Sequence, residues 1–308
     1  MNLTSRVYDD CQDYWRIREF LREAYCLNGR RERCWSVLRW DYWRWHVHEN
    51  IHQFNLGEAV TVWEADGQIA AVLSPDNAGE AFFQVHPAWE GAALRAEMLE
   101  AAEAGLAVRR ADGRCALTVW IHGDDARMQA LARERGYAKT GPAEHMRRRA
   151  LDGPLPEAPI AAGYTVRALG GEDELPARSW LSWKVFHPEE PDEQYQGWEW
   201  YRNVQRVPLY RRDLDLVAVA GDGELAAFAT VWLDDVNRMV VFEPVGTHPA
   251  HQRRGLGKAV MAEGLRRAAR LGATLATVSS YGAGAHALYA AMGFTEFDLL
   301  EPWEREWS

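Results

Sequence analysis

Nowhere in the 308 residues is there an uninterrupted apolar run of about eighteen, the length a membrane-spanning helix needs. The first thirty residues mix Asp, Arg and Glu among the apolar ones and hold no apolar core segment, so a cleaved secretion signal is not expected either. Cysteine is scarce. The four, at 11, 26, 34 and 115, form no Cys-x-x-Cys pair and no regular spacing, which argues against a disulfide framework and a cysteine zinc site and makes a reducing cytoplasm the expected setting. Basic charge is short as well: 35 Lys and Arg face 45 Asp and Glu, leaving −2 on residues 1–150 and −8 on 151–308. A field of that sign repels a phosphate backbone, so neither a nucleic-acid nor a membrane partner is expected.

What the chain does have is itself, twice. The stretch "LDGPLPEAPIAAG", residues 151–163, carries three prolines and two glycines with no helical or strand period and reads as a linker. On either side runs one plan. Trp43-x-Trp45, Asp66-Gly67, His86-Pro87 and Gly136-Tyr137 reappear as Trp198-x-Trp200, Asp222-Gly223, His248-Pro249 and Gly293-Phe294, at offsets of 155, 156, 162 and 157. A nearly constant offset with small insertions is the trace of a duplicated domain. Each Asp-Gly lies between runs rich in Val, Ala and Leu and predicts a hairpin. After each His-Pro the apolar period turns helical, in "GAALRAEMLEAAEAGL" and "LGKAVMAEGLRRAARLG", and the apolar runs "CALTVWI" and "ATLATVS" follow. The order predicts an α/β fold in two domains, 1–152 and 160–308, each a mixed central sheet flanked by helices. An opening strand near "TSRVY" is weakly marked.

His48-Glu49-Asn50-Ile51-His52 has the spelling H-E-x-x-H, in which two histidines four apart on a helix hold zinc and the glutamate polarises a water. No third ligand follows in H-x-x-G-x-x-H form. Shifted by 155, the segment falls on "QGWEWYRNVQRV", where Asn203 stands opposite His48 and Val207 opposite His52. The tryptophans are kept and the ligands are not, so the segment reads as a partly buried helix and no metal is expected.

The sharpest functional stretch is "VGTHPAHQRRGLGKAV", residues 245–260. Glycines at 255 and 257 remove side chains from the start of a long helix, so main-chain N–H groups can converge on an anion. Arg253 and Arg254 add cationic donors at the rim. The turn is neither the G-x-G-x-x-G of a dinucleotide fold nor the Gly-Lys-Ser/Thr of a nucleotide-binding P-loop, and alone it could be only a tightly packed helix start.

Gln252-x-x-Gly255-x-Gly257 after a strand ending in His-Pro resembles the acetyl-CoA pyrophosphate loop of the GCN5-related N-acetyltransferase (GNAT) superfamily. The later "GAGAHALYAAMGF", with Ala285, Leu288, Tyr289, Gly293 and Phe294, resembles that superfamily's second cofactor motif. With the repeat, the likeness extends over nearly the whole chain and is similar to tandem members. It implies two GNAT-like domains, each with a mixed, twisted sheet. In the second, strands near 237–247 and 273–279 splay apart, and a helix over 255–271 points at the pyrophosphate. The implied acetyl-CoA contacts are Val245, Thr247, Gln252, Arg253, Arg254, Gly255, Leu256, Gly257, Lys258 and Ser279. Pro244 fits a strand interrupted beside a site. One departure is Gly282, where the motif often has Asn.

The resemblance further implies acetyl transfer to the primary amine of a small molecule, by direct attack in a ternary complex, with Tyr289 as general acid and Glu243 as base or cation attractor. Asp234 and Asp235 read as solvated loop charges. In the first half "AWEGAALRAEML" follows His-Pro without the glycine turn, and Ala132 stands in the place of Tyr289. That half is expected to be degenerate, stabilising its partner domain or walling the acceptor pocket with the aromatic helix 35–45, while "WLSW" at 180–183 lies where an acceptor lid is expected. The alternative is a non-catalytic acyl-CoA-binding or regulatory module. A monomer or a homodimer fits either reading.

Overall fold

The computed structural model describes residues 3–308. In chain order the elements are strand β1 (Thr4–Val7), helices α1 (Asp10–Leu27) and α2 (Val37–Tyr42), a π-helical segment (Trp43–His52), α3 (Leu56–Ala59), β2 (Thr61–Ala65), β3 (Gln68–Ser74) and β4 (Glu80–Val85). Then come α4 (Ala92–Gly105), β5 (Val108–Arg109), β6 (Cys115–His122), α5 (Ala126–Glu134), β7 (Ala138–Lys139) and β8 (Glu144–Ala150). The second half adds β9 (Tyr164–Ala168), α6 (Leu175–Phe186), α7 (Tyr201–Val204), β10 (Asp215–Ala220) and β11 (Leu225–Asp234). It continues with β12 (Met239–Thr247), α8 (Leu256–Arg270), β13 (Leu275–Ser280), α9 (Ala283–Ala291) and β14 (Glu296–Trp307).

Two compact units result, Met1–His145 with Asp298–Ser308, and Met146–Phe297. Each holds a mixed, open sheet, ordered β1-β2-β3-β4-β6-β14 in the first and β9-β10-β11-β12-β13-β8 in the second. In both, the pairs we resolve run antiparallel until the fourth strand meets the fifth in parallel, β4 with β6 and β12 with β13. The division departs from a linear reading at two places. The chain's last strand pairs with β6, from Leu300 opposite His122 to Trp307 opposite Cys115. The arginine-rich residues Met146–Ala150, ahead of the proline linker, belong to the second unit. A linker's composition marks where the chain is irregular, but strand pairing decides which core a flanking strand joins.

The weakly marked opening strand is real: Thr4–Val7 pairs with Glu64–Thr61. Asp66 and Gly67 both have positive φ, 52° and 78°, in a two-residue hairpin turn between Ala65 and its partner Gln68. The duplicated tryptophan pairs share spacing but not structure. Trp43 and Trp45 lie in the π-helical segment, whereas Trp198 and Trp200 lie in a bend and turn before α7, after Pro188, Pro191 and Gly197 have broken any helix.

In the second unit α8 lays Leu256, Val260, Met261 and Leu265 on the sheet, in one core with Val231, Val240, Phe242 and Phe294. Its outer face is charged, with Arg267 donating to Glu263 at 2.6 Å. Gly264 sets the closeness of that packing, because a Cβ there would lie 2.7 Å from Phe242 Cε1 and 3.0 Å from Val231 Cγ2. On α6, Arg178 is fully buried, 3.7 Å from the centre of the Phe228 ring, and donates to Thr230 Oγ1 at 3.2 Å. Asp215 answers it at 3.7 Å and accepts from Tyr201 at 2.8 Å and Tyr210 at 3.0 Å. Replacing Gly264 with Val overpacks the α8–sheet contact and is expected to cost about 1–3 kcal/mol, read as a lower denaturation midpoint at unchanged slope.

Candidate active site

The site begins with a ladder that stops. β12 and β13 pair in parallel only from Met239 with Leu275 to Val241 with Thr277, although both strands run on, to Thr247 and Ser280. On the other side of β12, Phe242 faces Val231 and Val245 faces Ala229, so Glu243 and Pro244 together oppose the single residue Thr230. This is a β-bulge, which bends a strand and re-aims its side chains. The Glu243 carbonyl accepts from the buried Trp232 indole N–H, so a side chain satisfies a backbone group at the irregularity.

The turn predicted to cradle an anion follows. His248 N-caps the short 3₁₀ turn Pro249–His251, its Nδ1 accepting from Ala250 N–H at 3.2 Å. His86 does the same for Ala88 at 3.1 Å, which explains why His-Pro recurs in both halves. Gly255 is the N-cap of α8 with φ +77°, a left-handed conformation that glycine adopts without penalty, and nothing lies within 4 Å of where its Cβ would be. No side chain caps α8. Its first N–H groups are therefore available to a ligand, with the positive end of the helix dipole behind them.

Gly257 is the meeting point. A Cβ there would lie 3.4 Å from both Thr247 Oγ1 on β12 and Leu288 Cδ2 on α9. Gln252, Arg253 and Lys258 are exposed around the turn, and Val245, Thr247 and Ser279 are half-buried on the diverging strands. Leu256 is a core side chain, so it can contribute only its main chain. Arg254 is tied back, donating to Tyr164 Oη at 2.7 Å, while Tyr164 also bonds His251 Nδ1 at 2.9 Å. An uncapped helix start, an open glycine and flanking cations suit a diphosphate.

Tyr289 is the seventh residue of the nine-residue α9 and the helix's buried one. Burial first, and then the charge of Glu243, hold its phenol well above the usual tyrosine range. Those two residues are thus close enough to feel each other, and Tyr289 keeps its proton through neutral pH.

The first unit keeps the scaffold and changes the contents. β4 pairs with β6 only at Glu80–Thr118 and Ala81–Val119. Beyond them lies a cavity of about 450 Å³ lined by Phe83, Val85, Glu90, Arg95, Trp120 and Asp125 among others. Glu90 immediately precedes the Gly91 cap of α4 and pairs with Arg95, which also donates to Asp125 at 2.5 Å. Three carboxylates and three arginines line it, with Arg95 held by Glu90 and Asp125 and Arg33 paired with Asp124. Ala132 is the seventh residue of the nine-residue α5 and is fully buried.

The H-E-x-x-H residues have other engagements: Glu49 pairs with Arg44, and His52 Nε2 bonds Asn77 at 2.9 Å. Among the described residues the group with metal-ligand geometry is instead Glu224, His248 and His251, with ligand atoms within 4.8 Å of one another. His248 spends its Nδ1 lone pair on the cap to Ala250, so in the neutral ring the other nitrogen carries the proton and has no lone pair for a cation. With His251 bonded to Glu224 at 3.1 Å and to Tyr164, the group reads as a brace for the turn.

The acetyltransferase (GNAT) family profile matches residues 175–294. A mycothiol acetyltransferase of Nocardioides sp. is 31% identical over 265 residues, spanning 78% of this chain and 83% of that protein. The chain belongs to the GNAT acetyltransferases. A GCN5-related N-acetyltransferase from Sphaerobacter thermophilus shares the fold at a TM-score of 0.68 and 17% identity, over 99% of this chain and 95% of its own. A tandem GNAT protein from the clavulanic acid biosynthesis pathway does so at 0.67 and 19%, over 99% and 98%. The GNAT chain is accordingly an acetyltransferase with acetyl-CoA as its donor. Among its described residues no helix is long and apolar enough to cross a membrane.

The glycine turn and the helix that carries Tyr289 were legible in the sequence, whereas the bulge at Glu243, the Trp232 bond that supports it and the Tyr164–Arg254 tether were not. Pro244 was the one local signal of the bulge. Because φ +77° is a genuine outlier for a β-branched residue, Gly255→Val is expected to raise the Kd for CoA at least about tenfold in calorimetric titration, with the circular dichroism spectrum unchanged.

Proposed function

We propose that the second unit, residues 146–297, moves the acetyl group of acetyl-CoA to a primary amine on a small molecule by direct attack in a ternary complex. The observation that carries this reading is the parting of β12 from β13 after three residue pairs, beside the uncapped, glycine-opened start of α8, with α9, whose buried residue is Tyr289, reaching Gly257 through Leu288. Acetyl-CoA supplies an activated thioester. N–H groups of the α8 start, around Gly255, Leu256, Gly257 and Lys258, hold its diphosphate, and Gln252, Arg253 and Arg254 line the rim. Val245, Thr247 and Ser279 line the arm's path.

An ammonium acceptor must lose a proton before its nitrogen can attack the thioester carbonyl, and as the N–C bond forms and the C–S bond breaks the departing sulfur must gain one. The bulge turns Glu243 out of the ladder, where its carboxylate takes the amine proton directly or through a water. Tyr289 Oη donates to the sulfur. The phenol holds its proton at neutral pH, as a donor to a departing thiolate must, and burial and then the Glu243 charge raise its pKa further.

We assign no chemical step to the first unit, where Ala132 stands in the place of Tyr289. A small polar acceptor agrees with a relative named for mycothiol. Release of free CoA across a panel of amino sugars, polyamines, amino acids and peptides tests the class. Stimulation by none of these amines would sink it.

General-acid groups contribute typically about 10²–10⁴-fold, so Tyr289→Phe is expected to lower kcat at least about 10²-fold while KM for acetyl-CoA stays within about threefold. Unchanged turnover in that variant refutes the acid role. Glu243→Gln is expected to lower kcat and to flatten the acid side of the pH–kcat profile; an unaltered acid side would show that another group takes the proton.

A further inference from the structure

α9 is poorly equipped to hold itself in place. Nine residues are too few for a helix stable on its own, its N-cap is Gly282 with no side-chain hydrogen bond, and Tyr289 is the residue it buries. What grips it is the strand of three consecutive arginines. Alternation along β8 puts Arg147 and Arg149 on one face and Arg148 on the other, where it pairs with Glu296.

Arg147, 7% exposed, spreads its guanidinium over three places. Nε donates to Ser280 Oγ at the end of β13 at 3.1 Å, Nη2 bonds His286 Nδ1 within α9 at 3.1 Å, and Nη1 donates to the Phe294 carbonyl at 3.2 Å. Arg149 holds the far end. Its Nη1 donates at 2.5 Å to the carbonyl of Met292, the C-cap of α9, and Nη2 to the Pro154 carbonyl at 2.9 Å. A cation there also complements the negative end of the helix dipole. The fit is close enough that a Cβ on Gly293, at φ +84°, would overlap Arg149 Nη1.

The corresponding helix of the first unit is anchored by other contacts. α5 is capped by its own Asp125, which accepts from Met128 N–H at 3.0 Å. Gln129 donates to the carbonyls of His122 and Gly123, and both Met128 and Ala132 are buried. That helix carries alanine where α9 carries Tyr289.

We propose that Arg147 and Arg149 are positioning residues for the acetyl transfer, fixing α9 at both ends so that Tyr289 Oη stays aimed at the opening between β12 and β13. The proposal rests on the reading of Tyr289 as general acid. A misplacement of order 1 Å can cost about 10²-fold in rate, so loosening the grip should be felt in kcat before it is felt in binding.

The test uses the full chain and the best amine of the panel. Arg147→Met and Arg149→Met are each expected to lower kcat about tenfold or more with KM for acetyl-CoA within about threefold, and Arg147→Lys to recover part of the loss. In a Tyr289→Phe background the same changes are expected to cost nothing further, since residues acting through one group are non-additive. If the arginine variants keep kcat within about twofold, or if their losses multiply undiminished with that of Tyr289→Phe, the clamp is refuted and the acid role stands. If Tyr289→Phe alone is silent, the acid reading falls and the clamp with it. Should Arg147→Met fail to fold, Arg149→Met, whose partners are carbonyls alone, decides the same question.

Discussion

The departure of β12 from β13 is the constraint on which the rest of the second unit depends. Two parallel strands that stay paired leave no backbone polar group for a ligand. Here the ladder ends after three residue pairs. The bulge at Glu243–Pro244 gives the strand its bend, and Pro244 has no N–H to lose at that point. Unpaired backbone inside a protein is costly, and the Trp232 indole lowers that cost by bonding the Glu243 carbonyl. Gly264 lets α8 lie close against Phe242 and Val231. At the helix start, Gly257 meets Thr247 and Leu288 at the same opening. Bulge, glycine contacts and helix start form one mechanical unit, so a change in one reaches the others through packing that resists deformation.

The two units show how little of a fold is needed to carry its chemistry. Both keep the antiparallel strands, the parallel step, the His-Pro cap and a nine-residue helix after the fifth central strand. What separates them is local: a glycine turn against a Glu90–Arg95–Asp125 cluster, and a tyrosine against an alanine. Core residues are held by burial and survive in both, whereas the residues facing the opening contribute little to stability and are free to change.

Legibility in the sequence followed the kind of constraint. Features that restrict the backbone left marks: Asp66-Gly67 for a two-residue turn, Gly255 for a left-handed helix cap, His-Pro for a short capped turn, and helical period for α8. Interactions between a side chain and a distant carbonyl left none. Nothing in "HMRRRALDG" announces that Arg147 and Arg149 grip a helix about 140 residues later, because an arginine reaching a carbonyl imposes no period and no backbone preference. Which sheet the strand Glu296–Trp307 joins was not legible either, because its register with β6 is a long-range pairing. At residues 43–52 the tryptophans fitted a helix but could not distinguish an α-helix from the π-helical form found.

The electrostatics of the Tyr289–Glu243 pair follow from its surroundings. A phenol in water would hold its proton at neutral pH without help, so the effect of burial is on the reverse step. On the roles proposed above, a tyrosinate left in a buried site beside a carboxylate would be doubly unfavourable and would draw a proton back once the acetyl group had moved. A carboxylate that had just accepted a proton would no longer repel that tyrosinate, so proton uptake at Glu243 and proton donation from Tyr289 would each favour the other. Such coupling would require a fixed separation between β12 and α9, which the proposal assigns to a bulge on one side and to two arginines on the other.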